Sequence, residues 1–313
     1  MEINNCFNKI KTYCFKFIRS QETRTNKFNN KNKMLKSYLI PLSFWINNRI
    51  KKKSTLIIGL AGGQGTGKTT ITTIISIILK KYFKLNVFKI SIDDFYKTRK
   101  ERKKLSKSKH QLLMTRGVPG THDYKLINDF FRKVKNKRFK PFSLPKFDKS
   151  IDDRCKRDQW YKIKSKPDVV ILEGWCVGAK AQKNHELLKS INTLERHKDK
   201  IHVWRKYVNN QLKTNYKKMF KKLDEFVYLK ASNFKLLQKW RIVQEKRLSL
   251  STKNKKNSKI MNKEDIINFM QTYQRITQHM FKQAPKYASV IMQLNNNHQI
   301  KSIKLKKKSK KFY

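Results

Sequence analysis

The sequence predicts an α/β fold in three layers: a mainly parallel sheet flanked by helices and closed by a helical lid. Three observations support this. Short apolar runs at 54–60, 86–92, 167–173, 225–231 and 286–294 alternate with longer segments of helical character, the order that builds a parallel sheet covered on both faces. The first run enters a glycine-rich turn that opens directly into a helix. Two of the runs lead into acids, Asp93 with Asp94, and Glu173, and ligands of such sheets bind beyond the carboxyl ends of the strands.

Taken in order, residues 1–35 are basic and poor in pattern, which predicts a loosely ordered extension ahead of a catalytic domain spanning 36–300. Residues 35–50, LKSYLIPLSFWINNRI, read as a short helical lead-in bent or restarted at Pro41. After the first strand, KTTITTIISIILKKY (68–82) is expected to be a buried helix despite β-branched residues that lower its intrinsic propensity. The second strand is followed by a charged loop over 96–122 and a helix near 123–136. The third strand is 167–173. The fourth, 225–231, precedes a helix at 233–248, and LSTKNKKNSK (250–259) is a basic connector. A helix near 263–282 and a last strand at 286–294 close the domain. The tail over 301–313 is a charge run expected to be disordered.

The chain has 313 residues, enough for one large core, and carries 76 basic against 21 acidic residues, a net charge of +55. Such a charge attracts polyanions without sequence preference, so nucleic acid is the first partner to consider. The lysines are spread over the whole chain, however, with neither an RNA-binding aromatic signature nor zinc-finger spacing. The charge therefore describes the surface, and no specific nucleic acid is expected. Cys6, Cys14, Cys155 and Cys176 form no C-x-x-C pair, which points to reduced thiols. The first twenty residues lack the continuous apolar core of a secretory signal, although their basic, amphipathic character leaves an organelle transit role open. The uncharged stretch Ser37–Asn48 contains Pro41 and is too short to span a bilayer. A soluble, cytoplasmic protein is expected.

The strongest chemical signal is Gly62, Gly67, Lys68 and Thr69 in the spacing G-x-x-x-x-G-K-[ST]. Glycines let successive amides point at phosphate oxygens, and the following helix adds its positive end. Gly62, Gly63, Gln64, Gly65, Thr66, Gly67, Lys68, Thr69 and Thr70 are thus the candidate nucleotide loop, with Lys68 for the β- and γ-phosphates and Thr69 for magnesium. Such a loop makes the fold class a P-loop NTPase fold. Asp93 stands where a carboxylate could accept the proton of an attacking hydroxyl; alternatively, Asp93 and Asp94 merely cap the next turn. Glu173 ends a VVILE strand as a Walker B acid would, although buried strands often end on Glu. Arg241 could neutralise charge over the nucleotide as a lid arginine, or belong to an exposed amphipathic helix.

Further segments are more specific. AGGQGTGKTT (61–70), SIDDFYKTRKER (91–102), TRGVPGTHD (115–123), LPKFDKSIDDR (144–154), VILEGWCVGA (170–179), WRKYVN (204–209) and WRIVQE (240–245) resemble the D-glycerate kinases of plant and fungal type and their bacterial relatives. That branch of the phosphate-loop kinases also holds uridine kinase, phosphoribulokinase and pantothenate kinase. The resemblance runs from about residue 37 to 300. It implies an ATP- and magnesium-dependent kinase of a small hydroxy acid, with Asp93 as base, Glu173 as Walker B acid and Arg241 as lid arginine. The substrate-side candidates are Tyr96, Arg116, His122, Asp123, Asp148, Arg154 and Arg205, the arginines because their fork suits a carboxylate. Lys146 departs from the arginine that the resemblance leads one to expect. A kinase of a nucleoside or of pantothenate, and a nucleic-acid-associated ATPase, are the alternatives, and the oligomeric state is left open.

Overall fold

The computed structural model describes residues 1–22, 27–51, 54–251 and 261–306. Six strands, β1 (Leu56–Gly62), β2 (Val87–Ser91), β3 (Val169–Gly174), β4 (Glu225–Lys230), β5 (Val290–Leu294) and β6 (Ile300–Leu305), form one sheet in the order β6-β5-β4-β1-β3-β2. All pairings are parallel except that of β6 with β5. β1 therefore sits between β3 and β4, where the direction of winding reverses, and such a switch point opens a crevice at the carboxyl ends of the strands.

Each central strand alternates between two cores. Ile57, Ala61, Val170, Leu172, Phe226 and Tyr228 enter one cluster, whereas Leu56, Ile58, Val169, Ile171, Val227 and Leu229 enter the other. Helices cover both faces, which makes the three layers expected from the sequence. The helices are α1 (Glu2–Ser20), α2 (Ile40–Asn47), α3 (Lys68–Lys81), α4 (Arg99–Ser108), α5 (Tyr124–Lys135), α6 (Val203–Gln211), α7 (Phe234–Ser251) and α8 (Lys263–Tyr287). Ile127, Phe130 and Phe131 of α5 close the first core, and Ile71, Ile74 and Ile78 of α3 close the second. The isoleucine-rich α3 is helical because burial on the sheet outweighs its modest propensity.

The register sets the site. Glu173 lies opposite Leu60 on one side and Ser91 on the other. The start of the glycine turn, the acid ending β3 and the residue two before Asp93 thus reach the same edge of the sheet together.

Four expectations are corrected. The extension is not loose over its first twenty residues: α1 buries Cys6, Phe7, Ile10, Cys14 and Ile18, a stripe at helical spacing, in the core it shares with α3. The lead-in is helical but widens into π-type turns over Met34–Leu39 just ahead of Pro41, whose ring cannot accept an ordinary α turn. The loop expected over 96–122 contains α4, started by a capping box in which the Thr98 hydroxyl accepts from Glu101 N–H and the Glu101 carboxylate accepts from Thr98 N–H. The tail over 301–313 is strand as far as Leu305, paired antiparallel with β5. Residues 307–313, and most of the connector expected at 250–259, lie outside the described residues. Among the described residues no helix is long and apolar enough to cross a membrane.

Candidate active site

The loop after β1 turns on Gly65 and Gly67, at φ 78° and 79°, backbone that glycine adopts without strain. Gly67 is the residue from which α3 starts. The Thr66 hydroxyl donates to Gly63 O at 2.8 Å, and the Lys68 ammonium donates to Gly62 O and Gly63 O at 3.0 and 3.1 Å. Burial draws the Lys68 ammonium below its usual range, while Glu173 and Asp93 pull it back. Gln64 and Thr70 are half-buried and Thr69 is exposed. The exposed Thr69 hydroxyl donates to Glu173 Oε1 at 2.8 Å, and Thr72, one helical turn on, donates to Oε2 at 3.1 Å.

Beyond β2 the chain makes a single 3-10 turn, Ile92–Phe95, and its capping box settles the roles of the two acids. The Ser91 hydroxyl accepts from Asp93 N–H, and Asp94 reaches back to Ser91 N–H. Asp94 is the cap, and the Asp93 carboxylate is left for other partners. Its Oδ1 accepts from the Tyr96 hydroxyl at 2.8 Å and its Oδ2 from the Lys149 ammonium at 2.7 Å. Burial alone would raise the Asp93 carboxyl, but the Lys149 charge and hydrogen bond, with help from His122 and Tyr96, hold it below the ordinary carboxylate range. Asp94 goes the other way: burial pushes it up to about 6 despite N–H donors from Phe147 and Ser91.

Most of the substrate-side candidates gather around this acid. Tyr96 stacks on His122, ring centroids 4.5 Å apart. His122 Nδ1 lies 2.7 Å from the Tyr216 hydroxyl, its Nε2 is buried with no partner among the described residues, and burial brings its pKa to about 4. Asp123 caps α5 and lies 3.6 Å from Arg154, which donates to Tyr96 O. Arg116 pairs with Asp152 and covers the Phe147 ring. Asp148 accepts from Ser150 N–H and Oγ–H, pinning the tip of the short hairpin of Phe147–Asp148 with Asp153–Arg154. Lys146 is exposed.

Arg205 does not join them. It is 1% exposed, donates to Leu187 O, and shares Glu195 with Arg275 while also facing Asp199. That buried ion cluster ties α6 to α8 and leaves the guanidinium no approach to a substrate, which corrects the expectation.

Arg241 lies on α7, which closes over the loop. A methyl group on Gly63 would fall 2.2 Å from Leu237 Cδ1, and one on Gly65 would fall 3.1 Å from Trp240 Cβ. Arg241 itself is paired with Glu245 at 2.5 Å.

Residues 57–187 match the Phosphoribulokinase / Uridine kinase family. The chain is 31% identical over 225 residues to the uncharacterized kinase mug58 of Schizosaccharomyces pombe, an alignment spanning 69% of this chain and 78% of that protein. The chain belongs to the phosphoribulokinase/uridine kinase family. This kinase is also 26% identical over 226 residues to the chloroplastic D-glycerate 3-kinase of Arabidopsis thaliana, covering 66% of this chain and about half (47%) of that protein's length. A solved D-glycerate 3-kinase from Cryptococcus neoformans superposes with a TM-score of 0.69 over 86% of this chain and 97% of that one; at 23% identity it shows the shared fold.

Within this kinase the sequence reasoning missed four groups. Thr72 is a second hydroxyl on Glu173. Tyr216 holds His122. Arg102, fully buried, donates to Lys97 O, Met114 O and Asp152 O and pairs with the Asp152 carboxylate. Lys149 sits on Asp93. Arg102 and Lys149 lie in segments singled out in the sequence, but in so basic a chain a cation carries no signal of its own. The Thr69 hydroxyl and the Glu173 carboxylate are hard oxygen donors of the kind magnesium takes. No group of three or more His, Cys, Asp or Glu side chains that could cage a metal occurs among the described residues.

Proposed function

We propose that this kinase transfers the γ-phosphoryl group of ATP to a hydroxyl of a small organic acid, D-glycerate, in the cytoplasm. The observation that supports this most is the ionised Asp93 carboxylate, which leaves β2 beside the phosphate loop under a hairpin of substrate-side residues. A substrate hydroxyl on Asp93 gives its proton to the carboxylate as its oxygen bonds to the γ-phosphorus, and the bond from that phosphorus to the ADP oxygen breaks. Tyr96 orients Asp93 for this. Lys68 leaves the Gly62 and Gly63 carbonyls for the phosphate oxygens, and Arg241 leaves Glu245 to do the same. Thr69 and Glu173 would hold magnesium, which would supply neutralisation of phosphate charge. α7 over the loop keeps water from competing as acceptor.

The choice of D-glycerate is supported by the landmark segments and by the D-glycerate 3-kinases among the chain's relatives. A coupled ADP-release assay across D-glycerate, other hydroxy acids, nucleosides and pantothenate tests it. The highest kcat/KM is expected with D-glycerate, and added RNA or DNA leaves that rate unchanged. A nucleoside or pantothenate as best acceptor, or ATP hydrolysis that depends on nucleic acid, would overturn the reading.

A further inference from the structure

The cations expected to receive the substrate's carboxylate are already committed. Arg116 is paired with Asp152. Arg154 holds Tyr96 O and faces Asp123. Arg205 is buried among Glu195 and Asp199. Each is tied to a protein carboxylate, and Asp152 and Glu195 are each shared with a second arginine, Arg102 and Arg275.

Lys149 is placed differently. Its side chain is 60% exposed and reaches from the hairpin tip to Asp93 Oδ2 at 2.7 Å. The backbone that presents it is fixed from below: Arg102 grips Asp152 through its carbonyl and its carboxylate, and Phe147 N–H donates to Asp94 at 3.4 Å. A hairpin held by these contacts thus carries a largely exposed ammonium to Asp93. Tyr96 donates to Oδ1 and Lys149 to Oδ2, and an ammonium held on a carboxylate weakens it as a proton acceptor.

We propose that Lys149 receives the carboxylate of the substrate and, in turning to it, frees Asp93 Oδ2 for the substrate's hydroxyl. The proposal rests on the hydroxy-acid reading above. In the exchange the substrate's carboxylate replaces Asp93 at an ammonium whose side chain is 60% exposed, while Asp93, 26% exposed, gives up its ion pair. An α-hydroxy acid carries the anion and a hydroxyl on adjacent carbons, so an ammonium that touches Asp93 sets the anion next to the acceptor of the hydroxyl proton. A neutral acceptor offers nothing to draw Lys149 away, and the base stays weakened by the ammonium. Lys149 thereby selects for acids as well as binding them.

The test compares D-glycerate with its neutral amide, glyceramide, in the wild type and in Lys149→Met and Lys149→Arg, with melting temperatures confirming that all three fold. Lys149→Met is expected to raise KM for D-glycerate roughly 10- to 100-fold, the loss of one charge-assisted hydrogen bond. The preference for acid over amide should collapse by the same factor, with KM for ATP unchanged and Lys149→Arg restoring most of the preference. A Lys149→Met enzyme that keeps the acid-over-amide preference, or that loses kcat on both acceptors with KM for D-glycerate unchanged, overturns the proposal. Wild-type turnover is the control that separates the two readings: if the wild type phosphorylates no hydroxy acid, the substrate reading falls and this one with it. Turnover that survives Lys149→Met unaltered removes this one alone.

Discussion

At the scale of single residues, the division of labour between Asp93 and Asp94 could not be read from their order in the chain, since either might cap the turn. The capping box decides it: Asp94 bonds back to Ser91 N–H, and Asp93 is left to face Tyr96 and Lys149. The two carboxyls therefore titrate apart. Asp94 is raised from 3.8 to about 6, by burial first, with Asp93 adding to it and the N–H donors opposing. A carboxyl whose folded pKa lies above its unfolded one contributes stability in full below about pH 4 and loses it as pH rises through 6. Asp94→Asn keeps an acceptor and cannot ionise. Between pH 4 and 7 the wild type should therefore lose stability relative to the variant, on the order of 2–3 kcal/mol in all. Urea unfolding midpoints across that range measure the difference. His122, lowered by burial to about 4, is stabilising above 6.5 and ceases to be as pH falls through 4, but it is present in both proteins and cancels. Parallel profiles would mean that Asp94 is an ordinary carboxylate.

At the scale of elements, the five parallel strands were legible because each is rich in apolar residues, and β1 and β3 are buried along their whole length. The loop and α3 were legible because glycine spacing and helix start fall together. What escaped notice did so because charge was taken for disorder. α1 spaces its apolar residues at 6, 7, 10, 14 and 18 among lysines and asparagines. α4 exposes Arg99, Lys100, Lys103 and Lys104 and turns Arg102 inward. β6 packs Ile300 and Ile303 partly against one core, on either side of a bulge, and exposes Lys301, Ser302, Lys304 and Leu305; its lysines guard a sheet edge against further pairing. If α1 is part of the core, Ile10→Ala should cost about 2–5 kcal/mol and lower the melting temperature, with KM for ATP unaffected. An unchanged melting temperature would return α1 to the status of an appendage.

At the scale of the whole molecule, three strand ends converge at one crevice because β1 lies between β3 and β4 and beside no sequence neighbour. This convergence was anticipated from the alternation of strands and helices, since a parallel sheet admits few other places for the phosphate loop and two strand-end acids to meet. The substrate side was legible only as segments: TRGVPGTHD and FDKSIDDR mark it, yet which cations remain available depends on contacts between residues far apart in the chain. Arg116 with Asp152, and Arg275 with the Glu195 that Arg205 shares, show this. The net charge of +55 needs no partner in this account, because the chemistry lies in a crevice where acids and cations are matched.

The most direct test of that chemistry follows phosphoryl transfer from ATP to D-glycerate by 31P NMR, with the wild type and Asp93→Asn side by side. The wild type should form phosphoglycerate, and the variant should bind ATP as well while turning over roughly 10²- to 10⁴-fold more slowly, the loss of a positioned general base. No phosphorylated product from the wild type, or full turnover by the variant, would contradict it.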